Sequence, residues 1–109
     1  MTPDDFRRIV LSLPEAIESS HMDHPDFRVA GKIFASLPDV EQGVVKLQPE
    51  QQEIMVETEP GIFSRVEGYW GQRGWTFVTL TAADGATLRG ALTASWRNIA
   101  PAKMQGLLA

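Results

Sequence analysis

Apolar and polar positions along this chain follow two different periods, which divide it into helices and strands. Phe6, Ile9, Val10 and Leu13 recur at i, i+3, i+4 and i+7, the spacing of one buried helical stripe. Thr2-Pro3-Asp4-Asp5 ahead of the stripe supplies an N-cap, a proline at the first helical position and acids in the first turn. Pro14 stops the helix. Leu88, Ala91, Leu92, Ser95 and Ile99 form a second stripe, capped by Asp84 and ended by Pro101, with Trp96 and Arg97 beside it. A further helix runs from Pro49 to about Thr58. Its stripe is weaker, because Ile54, Met55 and Val56 are adjacent rather than spaced, and this places it on one edge of the domain. Lys103–Leu108 adds a short turn.

Between the helices the β-type period takes over. Residues 17–24 have mixed β character, and His24-Pro25-Asp26 reads as a turn. Phe27-Arg28-Val29 and Ile33–Leu37 predict two short strands joined by a tight hairpin at Ala30-Gly31-Lys32. Val44-Val45-Lys46-Leu47 predicts a third strand, and Ile62–Val66 a fourth, irregular one. Trp75–Leu80 carries aromatic and β-branched residues on both faces, which suits a strand inside the sheet. The order is α-β-β-β-α-β-β-α, an α+β two-layer domain with an antiparallel sheet and helices on one face. One helical layer leaves the other face of the sheet to be polar, to bind a ligand, or to bury itself in an oligomer.

At 109 residues the chain suits a single domain spanning 1–109, and 43% apolar with 22% charged residues is ordinary for a globular protein. No apolar run approaches the roughly 20 residues that span a bilayer. The acidic N-terminus lacks the pattern of a secretory signal, so a cytoplasmic location is expected, without a membrane partner. The absence of cysteine removes disulfides, thiol nucleophiles and thiolate metal sites. A net charge of −4 argues against a strong nucleic-acid binder. The charge is uneven, however: residues 1–67 balance at −7 and residues 68–109 at +3, which permits a basic patch.

Catalytic chemistry finds little support. His21 and His24, three apart, fall on opposite faces of a strand unless a turn at Pro25 bends them together, and no third metal ligand follows by spacing. No Gly-x-Ser-x-Gly elbow accompanies the serines. Glu15, Glu18, Asp23 and Asp26 read as a solvated acidic face. The expectation is a non-enzymatic domain with no cofactor and no metal. Gly68-Tyr69-Trp70-Gly71-Gln72-Arg73-Gly74-Trp75 is the densest feature, with three glycines, three aromatics and an arginine. A strand follows it, so it is no phosphate loop, and a compact turn explains its spacing better. Trp75 is expected in the core, whereas Tyr69 and Arg73 are candidates for a stacking surface.

These residues resemble the MmcQ/YjbR-like family of small bacterial proteins. The likeness runs through Ser20-His21-Met22-x-His24-Pro25-Asp26-Phe27-Arg28-Val29 and Gly31-Lys32-Ile33-Phe34-Ala35. It continues in Val45-Lys46-Leu47-x-Pro49-Glu50-Gln51-Gln52 and Gly68-x-Trp70-Gly71-x-x-Gly74-Trp75-Thr76, and ends at Trp96-Arg97-x-x-Ala100-Pro101. The resemblance implies a secretion-chaperone-like α+β fold and carries a DNA-binding label, with no catalytic residues. Contact candidates within the shared motifs are Arg28, Lys32, Lys46, Tyr69, Trp70 and Arg73. Three kinds of partner follow as expectations: DNA, a protein or second copy docked on the open sheet face, or a small ligand near His21 and Trp70.

Overall fold

The two strong helical stripes form α1 (Pro3–Leu11) and α4 (Gly85–Ile99) in a computed structural model that describes residues 1–108. Thr2 caps α1 with its hydroxyl and closes a capping box with Asp5, and Asp84 accepts the Thr87 N–H to cap α4. Six strands make one sheet: β1 (Ile17–His21), β2 (His24–Val29), β3 (Lys32–Ser36), β4 (Gln42–Lys46), β5 (Phe63–Arg65) and β6 (Trp75–Thr79). The spatial order is β1-β2-β3-β4-β6-β5 and every pairing is antiparallel. Helix α2 (Pro49–Thr58) packs beside β5, and the short α3 (Gly68–Gln72) precedes β6.

The fold is therefore the expected antiparallel α+β class, with an added strand and an added helix. Residues 17–21 are a complete strand, and the turn lies at Met22-Asp23 rather than at His24-Pro25-Asp26. Pro25 sits inside β2 without disrupting the β1–β2 ladder. Its carbonyl accepts from the Leu37 N–H, so its nitrogen also points away from β1. The five residues after Glu67, read as a bare turn, wind once into α3.

Helices α1 and α4 cover one face of the sheet. Phe6 lies directly on Gly43 of β4, where a Cβ would stand 2.4 Å from its ring, and meets the Phe27 ring at 5.9 Å. Val45, Val78, Leu88, Leu92 and Trp96 complete the centre of the core. A bulge between Phe27 and Arg28 in the β2–β3 ladder lets the consecutive Phe34 and Ala35 both be buried. Ser95 on α4 donates to the Phe34 carbonyl and accepts the Lys46 N–H, tying helix to sheet.

The Ala30-Gly31 hairpin turn has Ala30 at φ 52° and Gly31 at φ 80°. A left-handed alanine is strained by its Cβ, so Ala30→Gly is expected to stabilise the protein by about 0.5–1 kcal/mol. Urea denaturation measures this, and a lower midpoint would show that the turn carries no such strain.

Candidate functional site

Cross-strand partners share a face, and the register traces one continuous surface opposite the helices. On β1 and β2, Ser19 stands opposite Asp26 and His21 opposite His24. Asp26 then pairs with Ser36, Arg28 with Ile33, Ser36 with Val44, Val44 with Phe77, and Lys46 with Trp75. The surface thus passes from polar at β1–β2, through aliphatic, to aromatic at β6. It is concave. A cleft of about 550 Å³ has Ile33, Val44, Trp75 and Phe77 as its floor, with His21 and Met22 at one side and Val66 and Trp70 at the other.

Asp26 anchors the polar side. Its carboxylate is fully buried, although it lies on the face that the helices leave open. Arg28 donates to it from Nε at 2.8 Å and from Nη2 at 3.1 Å, and His21 approaches with Nδ1 at 2.7 Å. The Arg28 hydrogen bond, with that of His21, holds the Asp26 carboxyl below its ordinary pKa, against the opposing effect of burial. Asp26 raises the Arg28 pKa in return. An ionised carboxylate only accepts, so Nδ1 of His21 carries the proton facing it. Asp26 therefore departs from the solvated acidic face expected of it, because two cationic or donor side chains fold over it.

Local geometry fixes the other side. The side-chain amide of Gln52, buried on α2, donates toward the Gly71 and Trp75 carbonyls and the Thr76 hydroxyl, each at 3.0 Å. Arg65 donates to the Gln52 carbonyl oxygen at 2.9 Å. A Cβ on Gly71 would stand 1.6 Å from the Val66 carbonyl oxygen, and one on Gly74, at φ 102°, would stand 1.8 Å from that of Leu47. These glycines let α3 press against the strand ends. The helix then presents Trp70 at the cleft with 60% of its surface exposed.

The six contact candidates fall into three places. Lys46, Tyr69 and Arg73 gather: the Lys46 ammonium donates to the Arg73 carbonyl and lies 5.9 Å from the Trp75 ring. Arg73 stacks on Tyr69 at 5.3 Å and donates to its hydroxyl. Burial, with the neighbouring Arg73 charge, lowers the Lys46 pKa. Trp70 stands beside them at the cleft, its ring edge-on to Tyr69 at 5.6 Å. Arg28 lies across the sheet with His21 and Asp26, and Lys32 is exposed at the β2–β3 turn. Trp75 is half-buried on the open face rather than in the core, and Trp96 is the indole that the core encloses. Ser36, Val44, Val66 and Phe77 join the cleft without having been singled out. The alternation in β6, with Trp75 and Phe77 on one face and Thr76 and Val78 on the other, was the available signal. His21 and His24 do share a face, their rings 6.4 Å apart. Among the described residues, no three metal-ligating side chains cluster.

A model of the YjbR family matches residues 11–98 of the chain. The crystal structure of the Deinococcus radiodurans protein DR2400, which has a DUF419 domain, superposes with a TM-score of 0.75 at 21% identity, covering 97% of this chain and 87% of that one. At such identity the likeness is one of fold. No curated protein matches the chain.

Proposed function

The chain belongs to the YjbR family, and from that fold and its open face we propose a non-enzymatic binding domain for a small, largely apolar aromatic molecule. The observation that carries this reading is the cleft of about 550 Å³ with Ile33, Val44, Trp75 and Phe77 as its floor and Trp70 at one side. That volume lies within the ~300–1,000 Å³ common for small-molecule sites, where apolar walls provide affinity and a few polar groups set orientation. Two indoles and a phenyl ring also favour a planar guest by stacking.

DNA, which the family resemblance implies, has weaker support. Duplex binding needs cations free to neutralise phosphates. Asp26 neutralises Arg28, and Lys46 and Arg73 keep their charge but are held against a backbone carbonyl and Tyr69, which leaves Lys32 at the β2–β3 turn as the candidate without such a partner among the described residues. Docking of a protein on the same face lacks a comparable feature that names its chemistry. No helix among the described residues is long and apolar enough to cross a membrane.

Calorimetric titration with indole and 2-methoxynaphthalene tests the proposal. Saturable binding is expected, weakened about ten-fold by Trp70→Ala, the loss of one stacking face. Absence of binding by both compounds at their solubility limits would reject it. A parallel titration with fluorescent duplex DNA at low salt is expected to show none, whereas micromolar, salt-sensitive binding would favour the DNA reading instead.

A further inference from the structure

The polar side of the cleft goes further than apolar binding requires. A site selecting only for apolar shape needs no buried carboxylate, whose desolvation is costly unless it is fully partnered. Here Asp26 is fully buried and directed at Nδ1 of His21, and Arg28 completes its partners. With the Nδ1 proton held against the carboxylate, the neutral form of the ring has its lone pair on Nε2. Nε2 has no hydrogen-bond partner among the described residues, the His21 side chain is 43% exposed, and the residue lines the cleft. The arrangement fixes both the tautomer and the orientation of an acceptor across the apolar floor from Trp70.

We propose that His21 Nε2 accepts a hydrogen bond from a hydroxyl on the ligand, so that the class of molecule bound is a planar aromatic bearing a phenolic or enolic O–H. This rests on the cleft being a small-molecule site. Asp26 acts through His21 as a positioning residue, locking the imidazole so that the acceptor nitrogen cannot exchange roles with the donor. An anionic ligand fits less well. The guanidinium fork of Arg28 is turned onto Asp26, and Arg28 is not among the residues lining the cleft. Ser36 is the other hydroxyl-competent group at the cleft, so the test separates it from His21.

Three compounds of one shape make that test: 2-naphthol, 2-methoxynaphthalene and 2-naphthoate, titrated by calorimetry into the parent protein, His21→Phe and Ser36→Ala. The parent is expected to prefer 2-naphthol over the methyl ether about ten-fold, the scale of one hydrogen bond. His21→Phe is expected to erase that preference while still binding the ether, and Ser36→Ala to retain it. His21 is half-exposed, so its variant is expected to keep the fold, which circular dichroism checks independently. Equal affinity of parent for 2-naphthol and its ether would overturn the proposal, as would tightest binding of naphthoate. A preference that survives His21→Phe would overturn it too. Failure of all three compounds to bind the parent would instead remove the apolar site itself, a separate result from loss of selectivity.

Discussion

Trp96→Ala is expected to destabilise the protein by about 3–5 kcal/mol, the range for emptying a fully enclosed indole site. Trp96 is 0% exposed, lies in the cluster that joins α4 to α1 and the sheet, and donates its ring N–H to the Pro14 carbonyl at 2.8 Å. Truncation therefore removes apolar contacts and leaves the carbonyl that follows α1 without its partner. For a domain of this size the melting temperature should fall on the order of 15–25 °C. Trp96→Phe keeps most of the ring volume but loses the hydrogen bond, and should cost about 1–3 kcal/mol. Trp75→Ala provides the contrast. Its ring is only partly buried on the open face and truncating it opens no enclosed cavity, so a loss of about 1–2 kcal/mol, well below that of Trp96→Ala, is expected. Thermal melts of the three variants measure the series. A Trp96→Ala protein that melts with the parent, or a larger loss for Trp75→Ala, would contradict the assignment of the two indoles.

That pair shows where a linear pattern stops being informative. Both tryptophans lie in strongly periodic segments, and periodicity identifies a strand or a helix without saying which side the helices cover. Trp75 opens β6, whose central place in the sheet was legible from its β-branched and aromatic residues. A central strand here has one covered face and one cleft face, however, and both carry apolar residues. Helices α1 and α4 were legible because one narrow stripe of each is buried and their caps are local in sequence. Strand β1 was blurred for the opposite reason: it is an edge strand exposed on both faces, so burial imposes no alternation on Ile17–His21. Helix α3 escaped because two of its five residues are glycines, and tertiary contacts hold it rather than helix propensity. The aromatic end of the candidate site was therefore visible in composition. Its polar end was visible only in part: His21 and Arg28 stood out as candidates, and Asp26 and Arg28 share a face by strand period, but only the β1–β2 register brings His21 to that pair.

Asp26→Asn is expected to lower stability by about 2–3 kcal/mol near neutral pH, the scale of buried hydrogen bonds to a charged group, discounted because both partners reach solvent. The amide keeps the shape but offers an N–H₂ in place of one accepting oxygen, so either Arg28 loses an acceptor or His21 must move its proton from Nδ1 to Nε2, and the charge that both partners faced is gone. The pH dependence supplies a sharper check. The folded pKa of Asp26 is depressed below the ordinary value of 3.8, chiefly by Arg28 and then by His21. A carboxylate depressed in the folded state binds fewer protons there than in the unfolded chain, so its contribution is fully present above the unfolded pKa. It is lost as the pH falls through the folded one. The amide of the variant does not titrate, and the stability gap between parent and variant should close as pH falls below 3.8. Urea titrations from neutral to acidic pH follow that gap. Equal stabilities at neutral pH would show that the carboxylate contributes nothing, and a gap that widens on acidification would reverse the sign of its coupling to Arg28 and His21. The same variant frees the imidazole of His21 to exchange tautomers, so the 2-naphthol preference should weaken together with the neutral-pH stability. Stability and selectivity then depend on one carboxylate, placed under the open face by the pairing of β1 with β2.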